Sequence, residues 1–213
     1  MAFDFRNFRA PYLTTEDIRS KAELFRSTFW KSDSIPVDIL AIAEFDLKLE
    51  IRPIRELRSS ADIDALLLGN RKTIIVDHEY YMDERMQSRL RFSVAHEIGH
   101  IVLHKELFAN LSHDSVEEYY AFVKNLPEQQ YRYIEFHAYE FAGRLLVPVG
   151  PLRAKMDGAL RLGASEGLPN EYLVGDAALQ YVSSNICKFF EVSPSVIQRR
   201  LKGENLWPPK LPY

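Results

Sequence analysis

The chain has 213 residues, with 27 Lys and Arg against 30 Asp and Glu, six His, one Cys and 46% apolar residues. Length and apolar content suit one soluble globular domain, or one with a small appendage. A formal charge of −3 offers no general attraction to nucleic acid or to an anionic membrane. The single Cys187 excludes an intrachain disulfide framework and a multi-cysteine zinc site, so any metal must be held by His nitrogen and carboxylate oxygen. One cysteine also fits a reducing compartment. The N-terminal stretch lacks the apolar core of a signal peptide, and no segment approaches the ~18 apolar residues of a membrane span. A cytoplasmic protein without a membrane partner is expected.

Thr14-Thr15-Glu16-Asp17 predicts a helix start, and Ile18, Ala22, Phe25 and Phe29 recur at helical spacing to about Trp30. Ser34-Ile35-Pro36 opens a second predicted helix through Glu44, with Pro36 suited to its first turn. Leu47, Leu49 and Ile51 alternate with Lys48, Glu50 and Arg52, the pattern of a strand with one wet face. Ala65 to Leu68 and Thr73 to Val76, joined across Gly69-Asn70, read as two further strands with a tight connection. From Asp83 the period lengthens. Met86, Leu90, Val94, Ile98 and Ile101 form one apolar line and Phe92, Ala95, Gly99 and Leu103 another, so a central, buried helix is expected.

Residues 105–130 read as an excursion with a short helix near Val116 to Val123 and Pro127 as a breaker. Tyr133 to Val147 is helical again and stops before Pro148. The Gly- and Pro-rich stretch from Pro148 to Pro169 is the best linker candidate. Asp176 to Phe190 and Pro194 to Lys202 are two closing helices, the second capped by Ser193 and followed by Gly203, with a Pro-containing tail beyond. The organisation expected is an N-terminal helical extension (1–33), a central α+β domain (34–165) and a C-terminal helical segment with its tail (166–213).

The chemistry lies in His96-Glu97-Ile98-Gly99-His100, in the middle of the predicted buried helix. Residues four apart on a helix differ by about 40° in direction and about 6 Å in height, so the two imidazoles can converge on one ion. The intervening Glu97 then lies where a carboxylate can take a proton from an activated water. These are the parts of zinc-assisted peptide hydrolysis. Chance alone produces the string in about one shuffled sequence in 70, so context decides. Two His and a Glu in a buried helix are expensive without a partner, which favours a site over hydrogen-bonded core histidines.

A catalytic zinc needs a third protein ligand. The variant with a third His six residues after the second is excluded, because position 106 is Glu106 and position 103 is Leu103. Glu135 is the first choice. It precedes Ala138 and Ala142, whose small side chains would let their helix approach the His helix at Gly99. The competing reading of Glu135 is a solvated acid in the first turn of its helix. His104 lies about 12 Å along the axis from His96, too far for the same ion. It either orients a ligand imidazole or is an ordinary satisfied histidine. His137 should point about 200° away from Glu135, so the two cannot face one metal.

The string from Arg91 through His96-Glu97-Ile98-Gly99-His100 to His104 resembles the signature of the ImmA/IrrE family of zinc metallopeptidases. Glu135 to Pro148 is similar to that family's second motif, and Phe190 to Leu201 resembles its C-terminal helical segment. The three motifs occur in the right order, and the resemblance covers roughly residues 35–205. It implies an α+β, zincin-like metallopeptidase fold, a small mostly antiparallel sheet packed on the active-site helices, followed by a helix-turn-helix-like segment. It further implies that His96, His100 and Glu135 bind Zn2+, with Mn2+ as an alternative in activity, and that Glu97 is the catalytic acid/base. The implied substrate is a helix-turn-helix repressor, often encoded nearby on a phage or mobile element. The chain departs from the family at Tyr139, where Asn or Asp is usual and could orient a ligand imidazole, and in the length of the 105–130 excursion.

Thr73 to Val76, just before the active helix, would be an edge strand able to bind an extended peptide, or an edge shielded by residues 105–130. Tyr80, Tyr81, Tyr131, His137 and Tyr139 are candidates for stabilising an oxyanion. The alternative function is a DNA-binding or repressor-sequestering regulator with a non-catalytic domain. Against DNA, residues 170–213 carry five cations (Lys188, Arg199, Arg200, Lys202, Lys210) and four acids (Glu171, Asp176, Glu191, Glu204). Only Arg199, Arg200 and Lys202 cluster, a thin supply of phosphate contacts.

Overall fold

The computed structural model describes residues 8–32, 34–109, 113–167 and 173–210. Parts of the expected N-terminal extension (1–7), of the excursion (110–112), of the linker (168–169) and of the tail (211–213) lie outside them. The chain forms two compact units, Met1–Ser32 with Asp38–Ala142 and Asp33–Val37 with Gly143–Tyr213.

In the first unit, α1 (Thr15–Phe29) starts where a capping box closes: the Thr14 side chain accepts from the Asp17 N–H while the Asp17 carboxylate accepts from the Thr14 N–H. Its buried Ile18, Ala22 and Phe25 form the inner face, and the Phe25 ring meets Phe141 edge-on at 5.7 Å. The second helix begins later than Pro36. Asp38 is its cap, accepting from the Ala41 N–H, and α2 (Ile39–Ala41) runs directly into a π-helical turn over Ile42–Asp46.

Three strands follow, β1 (Glu50–Ile54), β2 (Ala65–Leu67) and β3 (Thr73–Asp77), with α3 (Leu57–Ala61) between the first two. Their order is β1-β3-β2. β1 runs parallel to β3 with Glu50 opposite Thr73, and β2 runs antiparallel to β3 with Leu66 opposite Ile75. The sheet is therefore mixed rather than mostly antiparallel, because the crossover through α3 returns β3 beside β1 in the same direction. Thr73 to Val76 is not an edge either: β3 is the central strand, buried along its whole length, and β1 and β2 are the two edges. The continuous apolar run Ile74-Ile75-Val76 is the pattern of a strand covered on both faces.

The helical layer contains α4 (His78–Met82), α5 (Gln87–Leu103), α6 (Lys105–Ala109), α7 (Val116–Asn125) and α8 (Glu128–Leu146). α5 is the expected buried helix, with Leu90, Val94, Ala95, Ile98 and Leu103 all enclosed. α7 caps on Ser115 and packs Val116 and Tyr119 against Leu57, Leu66, Leu68 and Ile75 of the sheet side. α8 starts directly after Pro127, earlier than Tyr133.

In the second unit, the linker expected over Pro148 to Pro169 is instead mostly helix, α9 (Val149–Ser165). Leu152, Met156, Leu160 and Gly163 recur at helical spacing and are buried, while Pro148 is the cap and Pro151 falls in the first turn. Gly150 and Gly158 cost the helix about 1 kcal/mol each but do not break it. α10 (Asp176–Phe190) and α11 (Pro194–Gly203) close the chain and pack on one another through Leu179, Val182, Ile186, Phe190, Val196, Ile197 and Leu201. Inside this unit, Arg200 Nη1 donates to Glu204 Oε1 at 2.5 Å, Arg144 donates to the same oxygen, and Arg200 Nε and Nη2 donate to the Val147 carbonyl at 3.3 and 3.1 Å. Among the described residues, no helix is long and apolar enough to cross a membrane.

Candidate metal centre

α5 turns His96 and His100 toward one point: their Nε2 atoms are 3.1 Å apart. α8 brings Glu135 to the same point, with Oε2 3.2 Å from His96 Nε2 and Oε1 3.5 Å from His100 Nε2. The close approach of the two helices has a visible cause. A Cβ placed on Gly99 would lie 3.1 Å from Ala138 Cα, 3.2 Å from its carbonyl oxygen and 3.2 Å from Phe141 Cδ1, so any larger residue pushes α8 away. The small residues at 99 and 138 are what allow an acid from α8 to reach two histidines of α5.

Glu97 is buried, at 7% exposure, and its Oε2 accepts from the Leu67 N–H of edge strand β2 at 2.9 Å. His96, Glu97 and His100 offer atoms all within 4.8 Å of one another. Burial raises the Glu97 pKa, and the attraction of His100 and His96 does not cancel that rise. Burial also opposes a charge on Glu135, but its hydrogen bonds to His100 and His96 outweigh that penalty and hold its carboxyl well below the usual range. For His96 burial works downward, yet the hydrogen bond and charge of Glu135, with the charge of Glu97, leave its pKa raised. Two carboxylates that feel each other's charge are thus pushed in opposite directions, one toward holding a proton and the other toward permanent charge.

His104, the residue that follows α5, hydrogen-bonds to the cluster: its Nδ1 is 3.1 Å from His100 Nδ1. Behind it, His104 Nε2 is 3.3 Å from His137 Nδ1. Burial drives the His104 pKa down to about 2 and lowers that of His137, with the neighbouring His100 adding to both. Glu135 reaches His96 and His100, whereas His137 reaches His104. Tyr139 packs its ring on Phe92 at 4.8 Å. Of the other oxyanion candidates, Tyr80 lies under the Arg89 guanidinium at 4.9 Å and Tyr81 is exposed. Tyr131 is close enough to Glu135 and Glu97 for their charges to add to the rise that burial causes in its pKa, and its hydroxyl is 3.3 Å from that of Tyr119.

Three participants have no sequence signal of their own. The Leu67 N–H is backbone, and Tyr119 is one of 11 tyrosines until α7 folds over the site. The third is His113, whose Nε2 is 2.9 Å from the Leu67 carbonyl while its own carbonyl accepts from the Gly69 N–H at 2.8 Å. His113 of the 105–130 excursion therefore covers β2, one of the two edge strands, at Leu67 and Gly69.

The donor set of two imidazole nitrogens and one carboxylate, with a second buried carboxylate alongside, is that of a three-ligand zinc site with one open position. No curated protein matches the chain significantly. A family model described as the IrrE N-terminal-like domain, of peptidase type M78, matches residues 80–202, which include every side chain of the cluster and more than half of the chain. The protein belongs to the IrrE N-terminal-like, M78 peptidase family.

Proposed function

We propose that the protein is a zinc-dependent endopeptidase in which His96, His100 and Glu135 hold the ion, Glu97 moves the proton, and the substrate is a helix-turn-helix repressor. The observation that carries the catalytic reading is the convergence of His96 Nε2, His100 Nε2 and the Glu135 carboxylate within 3.5 Å, with Glu97 buried beside them. Zinc bound there would supply a Lewis acid for the scissile carbonyl and lower the pKa of a water. Glu97 takes that water's proton and returns it to the departing amine nitrogen. Its Oε2 is committed to the Leu67 N–H, so Oε1 is the atom that accepts the proton. A carboxyl whose pKa is raised by burial is better matched to receiving and releasing a proton near neutral pH than a solvated one. Tyr131 and Tyr119 keep their hydroxyls neutral, because burial and the nearby carboxylates oppose a phenolate, and so can donate to a developing oxyanion.

The repressor substrate rests on the family resemblance of the three motifs. The regulator alternative loses one of its phosphate contacts, since Arg200 is buried against Glu204 and Val147. The test is cleavage of the repressor encoded beside the gene, by zinc-loaded parent and by Glu97→Gln. Cleavage by the parent that disappears in the variant supports the proposal; no cleavage by the parent, or equal cleavage by both, refutes it.

A further inference from the structure

Resting on the metal reading above, we propose that His104 and His137 are positioning residues that form a two-state hydrogen-bond relay. Its direction decides whether His100 presents a lone pair or an N–H to the cluster. The geometry is a chain of three imidazoles, with His100 Nδ1 to His104 Nδ1 at 3.1 Å and His104 Nε2 to His137 Nδ1 at 3.3 Å. All three rings are buried, at 2–4% exposure. A neutral imidazole has one donor and one acceptor nitrogen, so such a chain has only two consistent arrangements.

In the first, His100 donates from Nδ1 to His104 Nδ1, and His104 donates from Nε2 to His137 Nδ1. His100 Nε2 is then a bare lone pair aimed at His96 and Glu135, the form a cation requires. In the second, every bond reverses: His137 donates from Nδ1, His104 donates from Nδ1, and His100 carries its hydrogen on Nε2, 3.5 Å from Glu135 Oε1. A carboxylate accepting from both imidazoles favours the second arrangement, and a cation enforces the first. The two hold the same number of protons. Passing from the second to the first, one proton leaves at His100 Nε2, each ring hands one along the chain toward His100, and one enters at His137 Nε2. The His137 ring is stacked on that of Tyr133 at 6.5 Å between centroids, and Tyr133 is exposed to solvent.

The test uses the full chain, labelled with nitrogen-15 in its histidine rings, before and after zinc. The expected result is that His137 Nδ1 changes from a protonated, pyrrole-like signal to an unprotonated, pyridine-like one when zinc is added. Zinc affinity of variants provides a second readout. His137→Phe keeps the ring volume without the acceptor and should weaken binding by ~10- to 100-fold, while His137→Gln, which retains an acceptor oxygen, should stay within about threefold of the parent. Zinc binding by the parent with no change at His137 Nδ1, equal weakening in both variants, or none in His137→Phe overturns the relay and leaves the metal reading standing. Failure of the parent to bind zinc overturns the metal reading, and the relay with it.

Discussion

Two clusters of ionisable side chains among the described residues satisfy their polar atoms in different ways. In the second unit, Arg144, Arg200 and Glu204 form an ion cluster: two guanidiniums share one carboxylate oxygen, and Arg200 Nε and Nη2 reach the Val147 carbonyl. Arginine cannot lose its proton, so these donors are permanent and the cluster has one protonation pattern. In the first unit, His96, His100 and Glu135 bring acceptor-capable atoms within 3.5 Å of one another, with a second carboxylate beside them. That set is satisfied only by a shared proton or a cation. Both clusters are built from residues that rarely go inside unaccompanied; what separates a clamp from a site is whether the lone pairs are already matched.

The largest expected effect breaks the site and spares the fold. Glu97→Gln should lower cleavage by ~10²- to 10⁴-fold, with zinc content unchanged, measured as repressor peptide released per unit time. On the other side of the comparison, Glu204→Ala removes the carboxylate that two buried guanidiniums share and should cost about 3–5 kcal/mol of folding stability, read by urea denaturation. Glu135→Gln should instead abolish zinc binding with little loss of stability in the zinc-free protein. A Glu204 variant as stable as the parent would show that the second cluster is not a clamp.

Gly99→Ala probes how the two helices meet. The added methyl would press on the Ala138 backbone and Phe141, costing about 1–3 kcal/mol, and by moving α8 it should weaken zinc binding although no ligand is changed. Calorimetric zinc titration checks this; unchanged affinity would mean that Glu135 reaches the histidines without the close approach.

The smallest effect concerns pH. Burial holds His104 neutral down to about 2, against about 6.5 in the unfolded chain. Its contribution to stability is complete above the unfolded value. As pH falls below 6.5 the unfolded chain binds a proton that the folded chain refuses, and stability falls by about 1.4 kcal/mol per pH unit. His113 and His137, also depressed by burial, act with the same sign, while the raised His96 acts against them. Denaturation of the zinc-free protein should therefore move to lower urea between pH 7.5 and 5.5, with a shallower slope in His104→Phe. An identical slope in that variant would show that His104 is not held neutral.

How much of this was legible in the sequence follows from the range of the interactions. His96, Glu97 and His100 are local: four-residue spacing on one periodic helix places them together whatever the rest of the chain does. Glu135 was reachable because small residues at 99, 138 and 142 imply that two helices approach closely. The edge strand was misassigned because order in a sheet depends on the crossover through α3, not on any strand's own pattern. α9 has the composition of a linker, and only the positions of its glycines and prolines distinguish it from one. The prolines lie at the cap and first turn, and the apolar period 152, 156, 160, 163 continues through the glycines. The covering of β2 by His113 is a long-range pairing whose partners on the strand side, the Leu67 carbonyl and the Gly69 N–H, are backbone groups that leave no trace in side-chain identity.

The central claim is that three side chains from α5 and α8 form a single metal centre while Glu97 stands outside it. Zinc bound per chain, measured on the parent, His96→Ala, Glu135→Ala and Glu97→Gln after equilibration with excess zinc and removal of the free ion, tests it most directly. The account predicts one zinc for the parent and for Glu97→Gln, and none for His96→Ala or Glu135→Ala. Full zinc content in Glu135→Ala, or loss of zinc in Glu97→Gln with its fold intact, would contradict it.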